Sequence, residues 1–269
     1  MTKDLISLEH DSAIKHVTGR AIYTDDILEP KNLLHAAIGY SKISKGKIIE
    51  IDFTEVINSK GVIDIITEKD IEGINDVGPV FKGDPIFTSK KIEYHGQPIF
   101  AVAATSYNLA KKAASKIKIK YKEEKSILSI EEALKNKSFV HDPQYLKKGK
   151  AIKIIKDSKH KLKGELYSGG QDHFYLEGQI AMTIPQEDNN FLIYSSTQHP
   201  SETQQIISKV LKQKFNTIQV KVRRIGGGFG GKETQSFLFA AITSILSKKL
   251  KRPIKLRADR DDDMIITGK

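Results

Sequence analysis

Ile218, Val220 and Val222 alternate with polar neighbours, the period of a strand with one buried face, whereas Phe237, Leu238, Ala241, Ile242, Ile245 and Leu246 recur at helical spacing. Between them lies Arg-Ile-Gly-Gly-Gly-Phe-Gly-Gly-Lys-Glu-Thr, residues 224–234. The glycines are therefore expected at a strand-to-helix turn, where unpaired amides of the first helical turn favour an anionic or electron-rich ligand. Upstream, Leu33 to Tyr40, Lys47 to Asp52, Gly61 to Ile66 and Pro98 to Ala103 read as strands, and Thr105 stands where it can cap a helix through Leu109 and Ala113. Lys116 to Lys122 sets lysines against Ile117, Ile119 and Tyr121, as on a strand whose charged face discourages edge pairing. A short helix is expected at Ile130 to Leu134. Ser201 to Gln204 fits a capping box ahead of a helix lined by Ile206, Ile207, Val210 and Leu211, which puts Gln198 and His199 in the preceding turn. These elements predict a mixed α/β (α+β) fold, with a first domain over 1–125, a polar and basic connector over 126–163 and a second domain over 164–269.

Composition narrows the classes. A chain of 269 residues, 39% hydrophobic, is long enough for a sizeable core and about two domains. Met1 to His10 carries charges where a signal peptide needs an apolar core, and no apolar run of about 18 residues could span a bilayer. No membrane association is expected, and the cytoplasm is the default location. Without cysteine the chain can hold neither a disulfide nor a thiolate-ligated iron–sulfur cluster, so electrons from any redox chemistry must leave through a partner. The formal charge of +11 raises nucleic-acid binding, but no array of exposed aromatics is interleaved with the lysines for base stacking. The charge reads instead as one of solubility and association, and no nucleic-acid partner is expected.

The glycine run satisfies G-x-G-x-x-G at Gly226, Gly228 and Gly231, yet the acid that would hold a ribose is replaced by the basic stretch Lys248 to Arg252. It also satisfies the first seven positions of a phosphate-binding loop, but Glu233 stands where a hydroxyl should hold magnesium, and its charge would repel phosphates. A plain turn would use fewer glycines, because each adds to the entropy cost of folding. The run is read as a binding site.

Single residues leave two readings each. Glu233 is a ligand contact or a helix-start carboxylate answering the dipole. Gln198, whose amide both donates and accepts, is a ligand contact or a turn residue satisfying backbone. Phe229 anchors a core or offers its backbone amide, and Lys232 neutralises an anion or points into solvent. His173 is a base or a satisfied buried histidine. Asp25 and Asp26 read as solvated loop carboxylates, and Asp64 and Asp70 point to no chemistry. Asp259, Asp261 and Asp263 mimic the start of a calcium loop, but Met264 stands where glycine is required, so a charged turn is expected. No pair of histidines has the i, i+4 spacing of a helical metal site, and no residue is assigned as a direct metal ligand.

The run from Arg223 to Gln235, preceded by Gly-Gly-Gln-Asp-His-Phe-Tyr-Leu-Glu-Gly-Gln (Gly169 to Gln179) and Ser-Ser-Thr-Gln-His-Pro-Ser-Glu (Ser195 to Glu202), resembles the molybdenum-cofactor subunit of bacterial xanthine dehydrogenase. His16 to Asp26, Tyr94 to Ala104 and Leu256 to Met264 extend the resemblance over essentially the whole chain. It implies an amino-terminal hammerhead-like α/β domain followed by the start of a molybdopterin-binding domain. It further implies an enzyme of purine catabolism that hydroxylates hypoxanthine and xanthine at a molybdenum centre held through a pterin, with iron–sulfur clusters and FAD in a partner subunit. On this resemblance Glu233 faces the purine, Gln198 approaches the metal's ligands as a catalytic and cofactor-binding residue, and Gly228 and Phe229 contact the cofactor. The family's later portion supplies the catalytic base, an arginine facing the purine and most cofactor loops. The chain is therefore expected to be the amino-terminal part of a longer subunit, inactive alone and completed by the remainder. The other expectations are an aldehyde oxidase or another molybdenum hydroxylase, and a non-catalytic purine-binding or assembly module.

Overall fold

The structure is a computed structural model that describes residues 10–268. Of the stretch weighed against a signal peptide, residues 1–9 lie outside the described residues, as does Lys269. Among the described residues, no helix is long and apolar enough to cross a membrane.

The strands are β1 (Leu34–Tyr40), β2 (Gly46–Asp52), β3 (Val62–Ile66), β4 (Lys91–Ile92), β5 (Pro98–Ala104), β6 (Lys118–Glu123), β7 (Ile180–Pro185), β8 (Phe191–Ser195), β9 (Ile218–Lys221) and β10 (Ile254–Arg257). The helices are α1 (Ala13–Val17), α2 (Thr54–Ile57), α3 (Tyr107–Ala114), α4 (Ile130–Lys135), α5 (Ala151–Asp157), α6 (Pro200–Val210), α7 (Ser236–Leu250) and α8 (Arg260–Ile266). The mixed α/β class expected from the sequence is the one observed. The chain divides into two compact units, residues 1–124 with 172–269, and residues 125–171. The second unit holds α4, capped by the Ser129 hydroxyl, which accepts from the Glu132 amide at 3.1 Å, and α5.

In the first unit seven strands form one sheet in the order β3-β5-β1-β10-β7-β8-β9, and three more form a small sheet in the order β4-β2-β6. The large sheet joins the two halves of the sequence. β10 lies parallel to β1, with Leu34 opposite Ile254 and Ala36 opposite Leu256, and antiparallel to β7. β5 is buried along its whole length, which accounts for its unbroken apolar run: a strand covered on both faces has no polar side to show. Leu34, Ala36, Ile38, Ala101 and Ala103 pack into a core shared with α6 and α7. Ala37, Phe100, Val102 and Ala104 belong to a second core with Ala110 and Ala113 of α3, lying within residues 37–121. β6 is an edge of the small sheet, and its lysines alternate with partly buried Ile119 and Tyr121, as the pattern predicts.

Helix α7 is buried through Ser247, so its polar residues must be satisfied internally. Thr243 and Ser244 hydroxyls meet Thr183 of β7 at 2.8 and 3.1 Å. The helix stops at Lys251, which turns left-handed at φ 53°, and Pro253 follows.

Three local expectations need correction. The cap of α3 is Ser106, whose hydroxyl accepts from the Leu109 amide, and not Thr105, whose own amide closes onto Gly61. The capping box at Ser201 to Gln204 does not form. Pro200 occupies the first turn of α6 and needs no amide acceptor, so the helix starts two residues earlier, after His199. Asp25 is not merely solvated: it pairs with Lys255 and Arg257, each at 2.8 Å, and Lys255 also reaches Glu29 at 2.9 Å. Partial burial opposes the Asp25 charge, but these two cations more than offset it and hold its pKa below the ordinary carboxylate value. Asp64 and Asp70 likewise both meet Lys249 at 2.9 Å.

Two expected outcomes follow from this packing. A methyl group at Gly39 would sit 1.8 Å from the Phe100 ring, so Gly39→Ala should cost about 1–3 kcal/mol by overpacking. Urea unfolding checks this as a lower midpoint with an unchanged slope; an unshifted midpoint would contradict the packing. Because the folded pKa of Asp25 is depressed, its contribution is present above the unfolded value of about 4 and lost as pH falls through the folded one. Asp25→Asn should therefore lower stability at pH 7, with a gap to wild type that narrows on acidification; a gap independent of pH would contradict the pairing.

Candidate functional site

The glycine run is a loop in its own right. It leaves β9 after Lys221, and α7 does not begin until Ser236. The glycines lie between strand and helix as the periodicity predicts, but the first helical turn begins only at Ser236, so the loop's amides act without the helix dipole. The Gly231 amide donates to the Gly228 carbonyl at 2.7 Å, closing a tight turn that holds Phe229 left-handed at φ 53° between Gly227 at 92° and Gly230 at 91°. A methyl group at Gly226 would meet the Glu177 side chain at 2.4 Å, and one at Gly231 would meet the Tyr175 ring at 2.7 Å. Glycine is needed because the loop lies against residues 173–177.

Behind the loop is a buried polar network. The Lys232 side chain is fully buried, and its Nζ donates to the Glu177 carbonyl at 2.6 Å and to Ser196 Oγ at 2.7 Å, with Glu177 Oε2 at 3.4 Å. Burial pushes the Lys232 pKa below the ordinary lysine value, with the Glu177 charge opposing that shift. Glu177 Oε2 also accepts from Ser196 Oγ at 2.5 Å and from the Gly226 amide at 2.8 Å. The expectation that Lys232 points into solvent is overturned: the side chain turns inward, over the Tyr175 ring at 4.7 Å.

A second layer supports the first. Tyr175 donates its hydroxyl to Asp263 Oδ1 at 2.6 Å, the Gln179 amide donates to Asp263 Oδ2 at 2.8 Å, and Gln179 Nε2 donates to the Gly231 carbonyl at 2.9 Å. Arg260 donates to the carbonyls of Tyr175 and Leu176. The acidic run at residues 259–263 is thus a helix and not a charged turn. Asp259 caps it by accepting from the Asp262 amide at 2.9 Å, and Asp263 is buried beneath the loop.

The residues singled out from the sequence fall on the outer side of this network. Gln198 is half-buried. Its Oε1 accepts from the Gly230 amide at 3.0 Å and from the Lys232 amide at 3.3 Å, and its Nε2 makes no hydrogen bond to a described residue. The amides of Gly227, Gly228 and Phe229 likewise have no acceptor among the described residues. Phe229 is 75% exposed, so it does not anchor a core. Glu233 is exposed, and no described residue hydrogen-bonds to its carboxylate. His173 is half-buried, with its ring 6.4 Å from that of Tyr175. Among the described residues no group of three or more His, Asp or Glu side chains could hold a metal ion.

The arrangement brings Gln198, Gly228 and Phe229 together as a set of free hydrogen-bond donors, and Glu233 follows Lys232 at the end of the loop. Sequence reasoning missed Glu177, Ser196, Gln179 and Asp263. Glu177 and Gln179 lie within the Gly169 to Gln179 motif, which was the available signal. Asp263 gave none, because its partners are far away in sequence.

The chain matches the molybdopterin cofactor-binding domain family over residues 131–269 and the α/β hammerhead domain of aldehyde oxidase and xanthine dehydrogenase over residues 18–125. Among curated proteins it is 41% identical to xanthine dehydrogenase 1 of Arabidopsis thaliana over 264 residues, which is 96% of this chain and 19% of that protein. It is 38% identical to xanthine dehydrogenase of Calliphora vicina over 262 residues, again 96% of this chain and 19% of the relative. The chain thus spans about a fifth of the length of these relatives. Among solved structures, the aldehyde oxidoreductase of Desulfovibrio gigas superposes with a TM-score of 0.83 at 25% identity, over 96% of this chain and 30% of that one. That of Desulfovibrio desulfuricans superposes at 0.88 and 24% identity, over 97% and 31%, and shares the fold.

Removing the Tyr175 hydroxyl takes one donor from buried Asp263 and one acceptor from Gln179. Tyr175→Phe should therefore destabilise the protein by about 1–3 kcal/mol. Chemical denaturation measures it, and a neutral effect would show that the second layer does not support the loop.

Proposed function

The chain belongs to the molybdopterin cofactor-binding family, and from that premise we propose that it forms part of a molybdenum hydroxylase of the xanthine dehydrogenase type, acting on hypoxanthine and xanthine in purine catabolism. The observation that carries this reading is the cluster of unpartnered donors at Gly227, Gly228, Phe229 and Gln198 Nε2. Gly228 is buried, Gly227 and Gln198 are half-buried and Phe229 is exposed, and an oxygen-rich ligand supplies the acceptors that their donors lack. These residues fit a molybdenum–pterin cofactor: Gly228 and Phe229 offer backbone amides to it, and Gln198 offers its carboxamide. Bound there, the cofactor supplies a two-electron acceptor that no side chain of this protein can provide.

The chain's own part is binding and orientation. The Gly228 and Phe229 amides and the Gln198 carboxamide donate to oxygen and stabilise negative charge without a mobile counter-ion, which is the role of preorganised dipoles. The exposed Glu233 carboxylate accepts from a purine N–H, and so selects purine over aldehyde. Without cysteine the chain cannot ligate an iron–sulfur cluster through thiolates, which supports placing the clusters outside it, and we place them and the FAD in a partner subunit. The remaining pocket residues, including the base, belong to the remainder of the molybdenum subunit. We place the assembled enzyme in the cytoplasm. The curated relatives carry the xanthine dehydrogenase name at 38% and 41% identity, which favours this reading over an aldehyde oxidase.

In the assembled enzyme, Glu233→Ala should reduce kcat/KM for xanthine by at least about tenfold, or ~1.4 kcal/mol, while molybdenum content stays at the wild-type level. Turnover of aldehydes with none of xanthine would move the assignment to an aldehyde oxidase. Gln198→Ala should slow single-turnover reduction by about 10- to 100-fold, with the loop still folded; wild-type rates would remove Gln198 from the chemistry. The 269-residue chain alone should bind little molybdenum, because one loop satisfies only a fraction of a large cofactor's polar groups. Elemental analysis finding near-stoichiometric metal in it would refute that.

A further inference from the structure

The buried cation of the site lies behind the glycine loop, where no ligand reaches it. Three oxygens surround the Lys232 ammonium, the Glu177 carbonyl, Ser196 Oγ and Glu177 Oε2. An ammonium has three protons, so this one is saturated and has nothing left to offer an anion. A buried ion pair adds little to stability, because desolvating both charges offsets much of their attraction. What it does provide here is position. The same Lys232 bonds Gln198 twice through its backbone: its carbonyl accepts from the Gln198 amide at 2.9 Å, and its amide donates to Gln198 Oε1 at 3.3 Å. With the Gly230 amide also donating to Oε1, two N–H groups face one end of the carboxamide, and that end must be the oxygen. The NH2 group is left as the free end.

We infer that Lys232 is a positioning residue: its ammonium, tied to Glu177 and Ser196, holds the second half of the glycine loop so that two loop amides grip the oxygen of Gln198 and leave its NH2 group free to donate. The use of that donor rests on the cofactor reading above, but the orientation itself does not. Glu177 completes the device by gripping the loop's first half through the Gly226 amide, so one carboxylate and one ammonium tie down both ends of a loop that has few side chains of its own.

The test is Lys232→Met in the full chain, labelled uniformly with 15N and followed by NMR, the Gln198 side-chain signal being identified by its loss in Gln198→Ala. In the variant the Gln198 NH2 signal should move to the position of a free carboxamide, and the Gly230 amide should exchange with solvent faster by at least about tenfold. A Gln198 signal and Gly230 exchange both unchanged would overturn the inference. So would faster exchange spread evenly over α7 and β10, since that reports general loosening and not positioning. If Lys232→Met does not fold, Ser196→Ala, which removes one acceptor and keeps the charge, should move the same signals less far in the same direction; no movement there overturns the inference as well. Molybdenum content of the assembled wild-type enzyme separates the two readings. A metal-free wild type with a displaced Gln198 in the variant removes the cofactor reading and supports the positioning role, whereas a metal-loaded wild type with an undisplaced Gln198 removes the positioning role alone.

Discussion

Four residues, Ile254–Arg257, stand between two strands that would otherwise both be edges. β1 ends the ladder built from the amino-terminal half and β7 begins the ladder of the second, and the buried backbone groups facing inward on each need partners. β10 supplies both sets at once. Strand geometry then dictates the rest: Ile254 and Leu256 point into the core, and Lys255 between them points the other way. Lys255 is nonetheless almost fully buried, at 6% exposure, and a buried ammonium must be matched. Asp25 and Glu29 match it, so the irregular segment before β1 is held in place by the chemistry of the last strand. Residues from both halves of the sequence, 1–124 and 172–269, therefore fold as one unit.

The glycine loop takes its shape from that same strand. β10 runs into α8, whose cap at Asp259 sets the helix and brings Asp263 beneath Tyr175 and Gln179. These two residues frame the Glu177 segment, and Glu177 with Lys232 fixes the loop. Five glycines give a chain the freedom to approach a ligand closely and no means of holding still. Rigidity has to come from outside, and here it comes through hydrogen bonds and not apolar packing, because the loop has only Phe229 to bury and leaves it exposed.

The large elements were legible because periodicity reports which faces are covered. β1, β2, β3 and β5 fall within a residue of the runs read as strands, and Ile206, Ile207, Val210 and Leu211 form a buried stripe on α6 and just beyond it. The start of α6 was misread because a proline one residue earlier settles it before any side-chain cap can compete. The site was legible only where chemistry and sequence position coincide, in the glycine run and the turn holding Gln198. Its support was not. Lys232 has the composition of a surface residue, and its burial depends on Glu177 and Ser196, which reach it from 55 and 36 positions away. Asp25 shows the same blindness from the other side, since its partners on β10 lie over 200 residues downstream.

The division of charge around the loop bears on what kind of ligand suits it. All the full charges near it that are paired, Lys232, Glu177 and Asp263, are turned inward. The donors left without a partner among the described residues are neutral dipoles, three backbone amides and one carboxamide. A free lysine in their place would favour the more negative state of a ligand strongly, since one unit of charge at 4 Å changes the interaction by about 4 kcal/mol in a partly solvated site. Neutral donors discriminate less, and they keep their grip when the ligand's charge changes. A redox group passes through several charge states in each cycle, and a cradle that held one of them too tightly would slow the return to the others. Burying the lysine behind the loop gives the site the rigidity of an ion pair without placing a fixed positive charge against such a group.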